Sequence, residues 1–163
     1  MPHSHKIGVI FVCMGNICRS PTAEAVFRQR VAQAGWADKV HIDSAGTHDY
    51  HLGEAPDWRT QQAAKRRGYD LSNLRARQVE VADFRRFDYV LAMDEANLAI
   101  LKRLRPRDAA SHLGLLLDFA QRYAEREVPD PYYGGEQGFE HVLDLVEDAS
   151  DGLLLHLQRQ HSG

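Results

Sequence analysis

Cys13 and Arg19 are the residues whose types and spacing best suit covalent chemistry, because a short loop separates them and Ser20 follows directly. In a loop that curls before a helix, the backbone N–H groups point at a common centre and form a nest for a tetrahedral anion. The arginine guanidinium can bind two oxygens of a phosphate group. A cysteine at the base of the nest is expected to favour the thiolate, a nucleophile aimed at phosphorus. The predicted phosphate-binding loop comprises Met14, Gly15, Asn16, Ile17, Cys18 and Ser20.

A strand and a helix are predicted to hold this loop in place. Residues 7–12 form an apolar run rich in β-branched side chains, which is typical of a strand buried on both faces of a parallel sheet. Ser20 followed by Pro21 is typical of a helix start, with Ser20 as the capping hydroxyl and the proline in the first helical position. The alternative is that Cys13 is only a buried residue at a strand end. The loop and the helix start that follow favour the nucleophile.

The rest of the chain alternates between predicted strands and helices. Such alternation implies an α/β fold in which parallel strands and right-handed crossovers build a doubly wound sheet. No repeat or linker divides the sequence, so residues 1–163 are predicted to form a single domain. The predicted strands are residues 40–44, 89–93 and 113–117. The predicted helices are residues 58–67, capped by Asp57, residues 95–103, capped by Asp94, and residues 139–157.

Asp130 is the candidate for a general acid. A phosphate ester leaves as an alkoxide or phenoxide unless a general acid protonates it. Asp130 lies between Pro129 and Pro131, and the two prolines stiffen the backbone that aims its carboxylate. The alternative is an ordinary turn aspartate, because Asp-Pro is a common turn sequence.

The sequence resembles the low-molecular-weight protein tyrosine phosphatases. The resemblance starts at residues 12–27, VCMGNICRSPTAEAVF, and continues in the family's order over nearly the whole chain. The further matching blocks are DSAGT (43–47), LGEAPD (52–57), ARQ (76–78), DFRRFDYVLAMD (83–94) and DPYY (130–133). The DPYY block favours Asp130 as the acid over the turn aspartate.

The resemblance implies a four-stranded sheet with helices on both faces and assigns further site residues. Tyr50, Tyr132 and Tyr133 are expected to line the substrate cleft. Asn16 is expected to take a left-handed backbone conformation and brace the loop, and Ser20 to donate a hydrogen bond to the Cys13 thiolate. Leu74 stands where many members carry a histidine that supports the loop, so that support is absent here or supplied by other groups.

The implied activity is hydrolysis of phosphotyrosine and aryl phosphates through a phosphocysteine intermediate. Cys13 is the expected nucleophile, Arg19 the phosphate ligand and Asp130 the acid, with no metal or cofactor. The expected partners are phosphotyrosine proteins, with inorganic phosphate as product and competitive inhibitor. One alternative is an arsenate reductase of the same fold, which needs further cysteines downstream, and the sequence has none after Cys18. The other is a non-catalytic phosphotyrosine-binding module, which is expected to lack one of the three catalytic groups.

Cys18 is predicted to be a redox partner of Cys13. A loop that wraps one phosphate brings its ends together, within the Cα separation of roughly 4.4–6.8 Å that a disulfide requires. Cys13, as the accessible thiolate, is expected to be oxidised first, and Cys18 then traps it as a disulfide. Many members of the resembled family carry this second cysteine. The alternative is that Cys18 is a small apolar filler.

Composition and charge exclude several classes of function. The chain has 44% hydrophobic and 26% charged residues and a net charge of −3, which gives no reason to expect nucleic acid or anionic membrane as a partner. No run approaches the roughly 18 apolar residues of a membrane span. Two cysteines five positions apart form a poor disulfide framework for a secreted fold, so a cytoplasmic location is expected. The expected oligomeric state is a monomer or weak dimer.

Overall fold

The computed structural model describes residues 6–131 and 135–161, and its strands form a four-stranded parallel sheet. The strands are β1 (Ile7–Cys13), β2 (Val40–Gly46), β3 (Tyr89–Ala92) and β4 (His112–Leu115). Their order is β2-β1-β3-β4, with every neighbouring pair parallel. Because β1 has a neighbour on each side, the loop that follows it leaves from the middle of the sheet. The predicted four-stranded, doubly wound sheet is confirmed.

Helices cover both faces of this sheet. In the described ranges they are α1 (Arg19–Gln33), α2 (Trp58–Arg66), α3 (Asp83–Arg86), α4 (Glu95–Leu104) and α5 (Glu136–Gln160), with 3₁₀ turns at Ala37–Lys39 and Leu116–Phe119. On one face, Phe11 packs in the core formed with α1 and α5, where its ring meets Phe27 edge to face at 5.7 Å. On the other face, Ile10 and Val12 pack in the core formed with α3 and α4. All seven residues of β1 are buried, as the continuous apolar run predicts.

The prediction that Ser20 caps the first helix is wrong. Helix α1 begins at Arg19, with Cys18 in the capping position and no side-chain hydrogen bond to the first turn. The Ser20 hydroxyl cannot serve as the cap because it bonds Cys13 and Asn16 instead. Pro21 is still tolerated, because the first four N–H groups of a helix have no acceptor within the helix.

The predicted fourth strand at residues 113–117 ends two residues early. Leu115 pairs with Ala92, the last residue of β3, so no ladder partner remains beyond it. Leu116 and Leu117 instead begin the 3₁₀ turn and stay buried in the core shared with α1 and α5.

Two predicted helix caps are present. The Asp57 carboxylate accepts from the N–H of Arg59 at 2.9 Å, and the Asp94 carboxylate accepts from the N–H of Asn97 at 2.8 Å. Within residues 6–131 and 135–161, no helix is long and apolar enough to cross a membrane.

Candidate active site

The loop after β1 curls around the Cys13 sulfur. Asn16 has a backbone φ of 59°, and it is the one non-glycine residue with positive φ in the described part of the chain. This conformation turns the N–H of Asn16 toward Cys13 Sγ, at 3.3 Å. The Ser20 hydroxyl lies 3.0 Å from the same sulfur. The left-handed conformation expected of Asn16 is thus present, and it closes the nest that the sequence predicts.

The Asn16 side chain braces the loop from behind. Its Nδ2 donates to Ser20 Oγ at 2.8 Å and to Ser44 Oγ at 3.0 Å, and its Oδ1 accepts from the N–H of Arg77 at 3.0 Å. Leu74, at the position of the expected histidine, is half-buried against the hydrophobic core. The brace is therefore supplied by Ser44 and by the backbone of Arg77.

The end of β2 holds the backbone of the loop. The N–H groups of Thr47 and His48 donate to the carbonyls of Cys13 and Met14, at 2.8 and 3.0 Å. A Cβ added to Gly46 would lie 2.7 Å from the Met14 carbonyl oxygen, closer than such contacts allow. Gly46 therefore permits the close approach of the two segments.

Arg19 is buried with its guanidinium fixed by two contacts. Its Nη1 donates to Asp94 Oδ2 at 2.6 Å and to the Val128 carbonyl at 3.0 Å. Burial acts to lower the pKa of Arg19, but the charge of Cys13 and the hydrogen bond and charge of Asp94 outweigh burial and raise it above its ordinary value. The guanidinium therefore stays charged beside the loop.

Asp130 faces the same centre from another segment of the chain. Its Oδ2 lies 4.0 Å from Arg19 Nη2, and its side chain is 43% exposed. The cleft between these groups has a volume of about 330 Å³. It is lined by Cys13, Met14, Gly15, Ile17, Cys18, Arg19, Tyr50, His51 and Asp130. The structure thus brings the three predicted catalytic residues together, with Asn16 and Ser20 directly behind them.

The cleft wall contains one predicted residue and one that the sequence analysis missed. Tyr50 is 63% exposed at the mouth, and its ring stacks on His48 at a centroid distance of 4.9 Å. His51 also lines the cleft, with Nδ1 donating to Glu54 Oε1 at 3.1 Å. Its position next to Tyr50 in the same loop is the one signal that could have indicated it. Tyr132 and Tyr133, the other predicted wall residues, lie outside the described residues.

Cys18 is a free, buried thiol like Cys13, but its surroundings differ. Burial raises the pKa of Cys18 to about 12, so the thiol form prevails at neutral pH. Across the ranges that the structure describes, no group of three or more His, Cys, Asp or Glu side chains is arranged to hold a metal ion.

Comparison with known proteins agrees with this geometry. The family model for low molecular weight phosphotyrosine protein phosphatase matches residues 8–162. The low molecular weight protein-tyrosine-phosphatase of Streptomyces coelicolor is 49% identical over 158 residues, covering 95% of this chain and 96% of that protein.

Solved structures extend the similarity to three dimensions. The crystal structure of a protein tyrosine phosphatase from Entamoeba histolytica, with Hepes in its active site, matches at a TM-score of 0.92 and 41% identity, covering 95% of this chain and 99% of that chain. The structure of a Drosophila arginine phosphatase matches at a TM-score of 0.86 and 32% identity, covering 92% and 97%. This chain belongs to the low molecular weight phosphotyrosine protein phosphatase family.

Proposed function

We propose that this phosphatase hydrolyses phosphotyrosine in proteins through a phosphocysteine intermediate on Cys13. The observation that carries the proposal is the convergence of donors on one sulfur. The N–H of Asn16 and the hydroxyl of Ser20 lie 3.3 and 3.0 Å from Cys13 Sγ, and the charged guanidinium of Arg19 is fixed beside the loop. Such an arrangement stabilises a thiolate and the phosphate placed above it.

In the first step, Cys13 Sγ attacks phosphorus in line with the departing phenol. The S–P bond forms as the P–O bond breaks, and Asp130 gives its proton to the phenol oxygen. Arg19 and the loop N–H groups bind the equatorial oxygens. Because Asp94 and Val128 already fix the guanidinium, little reorganisation is needed in the transition state.

In the second step, the Asp130 carboxylate takes a proton from water, and the water oxygen attacks phosphorus. The S–P bond breaks, Cys13 returns to the thiolate, and inorganic phosphate is left in the loop. Phosphate is therefore both the product and a competitive inhibitor. No metal or cofactor takes part in either step.

The substrate assignment is supported by the depth and lining of the cleft. Cys13 is 2% exposed at its base, whereas Tyr50 stands at its mouth stacked on His48. A long, flat phosphotyrosine side chain reaches such a sulfur more easily than phosphoserine does, and its ring can stack on Tyr50. We propose Tyr132 and Tyr133 as further wall residues.

We also propose that residues 1–163 act as one domain, in the cytoplasm, as a monomer or weak dimer. The two cysteines, five positions apart, fit a reducing compartment, and a net charge of −3 offers no excess of positive charge for nucleic acid or anionic membranes. Analytical ultracentrifugation over a range of concentrations tests the oligomeric state.

The test of the proposed activity is hydrolysis of p-nitrophenyl phosphate and of a phosphotyrosine peptide in the presence of EDTA. Phosphoserine and phosphoarginine peptides and arsenate are assayed in parallel. We expect rapid, EDTA-resistant turnover of the phosphotyrosine peptide, with phosphate as competitive inhibitor. Preference for phosphoarginine, as the name of the Drosophila relative suggests for that protein, would refute the substrate assignment. Arsenate reduction without phosphatase turnover would refute the reaction.

A further inference from the structure

A buried carboxylate outside the cleft is joined to the catalytic loop by hydrogen bonds. Glu24, in the second turn of α1, is 3% exposed. Its Oε1 accepts from the Ser44 hydroxyl at 2.7 Å. Its Oε2 accepts from Arg28 Nη2 at 2.7 Å and from Arg28 Nε at 3.2 Å. Arg28 Nη2 also donates to the carbonyl of Ile42 in β2, at 2.7 Å.

The Glu24 carboxylate sets the direction of the Ser44 hydroxyl. A carboxylate only accepts hydrogen bonds, so the single hydroxyl proton of Ser44 is used on Glu24. Ser44 Oγ can then only accept from Asn16, and the group it faces at 3.0 Å is the Asn16 Nδ2 donor. The Asn16 Oδ1 faces the N–H of Arg77, which confirms the orientation of the amide.

Asn16 in turn determines in which direction the Ser20 hydroxyl donates its proton. Asn16 Nδ2 also donates to Ser20 Oγ at 2.8 Å, so the Ser20 oxygen acts there as an acceptor. The proton of Ser20 remains available for Cys13 Sγ at 3.0 Å or for the Ala45 carbonyl at 3.4 Å. The sulfur is the nearer acceptor and, as a thiolate, the more strongly charged one.

We propose that Glu24 and Arg28 are positioning residues for the catalytic loop. Arg28 holds the Glu24 carboxylate in the rotamer that contacts Ser44. Glu24 then determines which atom donates in each following hydrogen bond, and the last of these is donated by Ser20 to the thiolate. The inference rests on the proposed role of Cys13. It assigns a function to Glu24 and Arg28, neither of which lines the cleft.

Loss of this positioning is expected to change the dependence of kcat/KM on pH. If Arg28 no longer holds Glu24, the Ser44 hydroxyl can turn its proton toward Asn16 Nδ2. The N–H of Arg77 still holds Asn16 Oδ1. The opposed protons nevertheless loosen the bond from Asn16 Nδ2 to Ser20, and Ser20 can turn its proton to Ala45. The thiolate then loses one hydrogen bond, so the acidic limb of kcat/KM moves to higher pH. On that limb we expect a loss of about tenfold, the size of one hydrogen bond to a charged group. At the plateau of the profile, the loss is smaller.

The experiment compares Arg28→Met with Arg30→Met. Both arginines lie on α1 and pair with a carboxylate, Arg30 through a 2.8 Å bond from Nε to Asp151. Only Arg28 is connected to the catalytic loop, so Arg30→Met controls for loss of a helix guanidinium. The readouts are kcat/KM for p-nitrophenyl phosphate and the rate of Cys13 alkylation by iodoacetate, each against pH. Cys18 does not interfere below neutral pH, because its pKa is about 12.

Three further variants separate positioning from a general loss of stability. Arg28→Lys keeps the charge and should restore part of the profile. Glu24→Gln should shift the acidic limb at least as far as Arg28→Met does. In the Glu24→Gln background, Arg28→Met should add no further shift, because the group it positions is already changed. Arg28 is half exposed, so its substitution should leave the protein folded.

An unshifted profile in Arg28→Met would overturn the proposal, as would equal shifts in Arg28→Met and Arg30→Met or additive shifts in the double variant. Failure of the proposed function is distinguishable from these results. A wild-type protein without phosphatase turnover would refute that function, whereas the alkylation profiles would still report the effect of Arg28 on Cys13.

Discussion

The guanidinium of Arg19 and the carboxylate of Asp94 are joined by a 2.6 Å hydrogen bond between Nη1 and Oδ2. Arg19 is the first residue of α1, and Asp94 caps α4 through its bond to the N–H of Asn97. These helices pack on opposite faces of the sheet. The Asp94 carboxylate therefore caps α4 and also fixes the guanidinium that we propose binds phosphate.

The two roles of Asp94 can be separated by substitution. Asp94→Asn keeps a good capping side chain but loses the charged acceptor for Arg19. We expect kcat/KM to fall roughly ten- to a hundredfold with little change in thermal stability. Asp94→Ala should lose as much activity and, in addition, about 1 kcal/mol of stability from the missing cap. Steady-state kinetics and thermal unfolding check both, and an unchanged kcat/KM in Asp94→Asn would show that Arg19 does not need a charged partner.

Cys13→Ser is expected to abolish turnover while leaving the loop able to bind phosphate. Serine keeps the approximate size of cysteine, but its hydroxyl is not ionised at neutral pH. The loss in kcat should exceed about a hundredfold, the usual scale for removal of a nucleophile. Calorimetric titration with phosphate verifies that the loop is intact. Activity above about a hundredth of wild type would argue against Cys13 as the nucleophile.

Asp130→Asn is expected to discriminate between leaving groups. The leaving group of phosphotyrosine is the tyrosine phenoxide, which is poorly stabilised and needs the proton. The leaving group of a fluorinated aryl phosphate is a more stable phenoxide and needs the proton much less. The rate of phosphoryl transfer to Cys13, the first step of the reaction, should therefore fall much further with phosphotyrosine as the substrate. Single-turnover kinetics on both substrates provides the measurement. Equal losses would mean that Asp130 positions the substrate and does not protonate it.

Cys18→Ser tests the proposed redox partnership. Hydrogen peroxide is expected to oxidise the Cys13 thiolate to a sulfenic acid with release of hydroxide. Attack by the Cys18 thiolate on the Cys13 sulfur then forms the disulfide and releases the sulfenic oxygen as a second hydroxide. We expect Cys18→Ser to be inactivated as fast as wild type but to recover poorly with dithiothreitol, and phosphate to protect both. Equal recovery of the two proteins would assign Cys18 to packing alone.

The pH dependence of disulfide formation provides a further check. Burial raises the pKa of Cys18 to about 12, so the attacking thiolate is a small fraction at neutral pH and grows as pH rises toward that value. The trapping of oxidised Cys13 should accordingly become faster between neutral and alkaline pH. Quenched samples analysed by mass spectrometry measure the disulfide, and a rate independent of pH would contradict the assignment of Cys18 as the attacking group.

The sequence predicts well what depends on neighbouring residues. The apolar run of β1, the loop and the start of α1 are contiguous, so the nest around Cys13 follows from local patterns. The caps Asp57 and Asp94 are of the same kind. The left-handed conformation of Asn16, by contrast, is what the family resemblance implies. Asp130 is distant in sequence, and its place beside Arg19 was predicted through the family resemblance, not through periodicity or spacing.

Contacts between distant segments account for what the sequence does not predict. Ser20 has the sequence pattern of a cap, but its hydroxyl bonds Cys13 and Asn16 across the loop. Glu24 reads in the sequence as an acidic residue near the positive end of the helix dipole. Its bond to Ser44 becomes visible only when β2 lies against α1. Such pairings depend on the packed sheet, and side-chain type alone does not specify them.

The phosphocysteine intermediate is the central claim, and its direct observation is the decisive measurement. Asp130→Asn should form the intermediate from a fluorinated aryl phosphate but activate water poorly, so the intermediate should accumulate. We predict that acid quenching and peptide mass spectrometry will find one phosphoryl group, located on Cys13 and absent from Cys13→Ser. A phosphoryl group on any other residue, or turnover with none on the protein, would contradict the account.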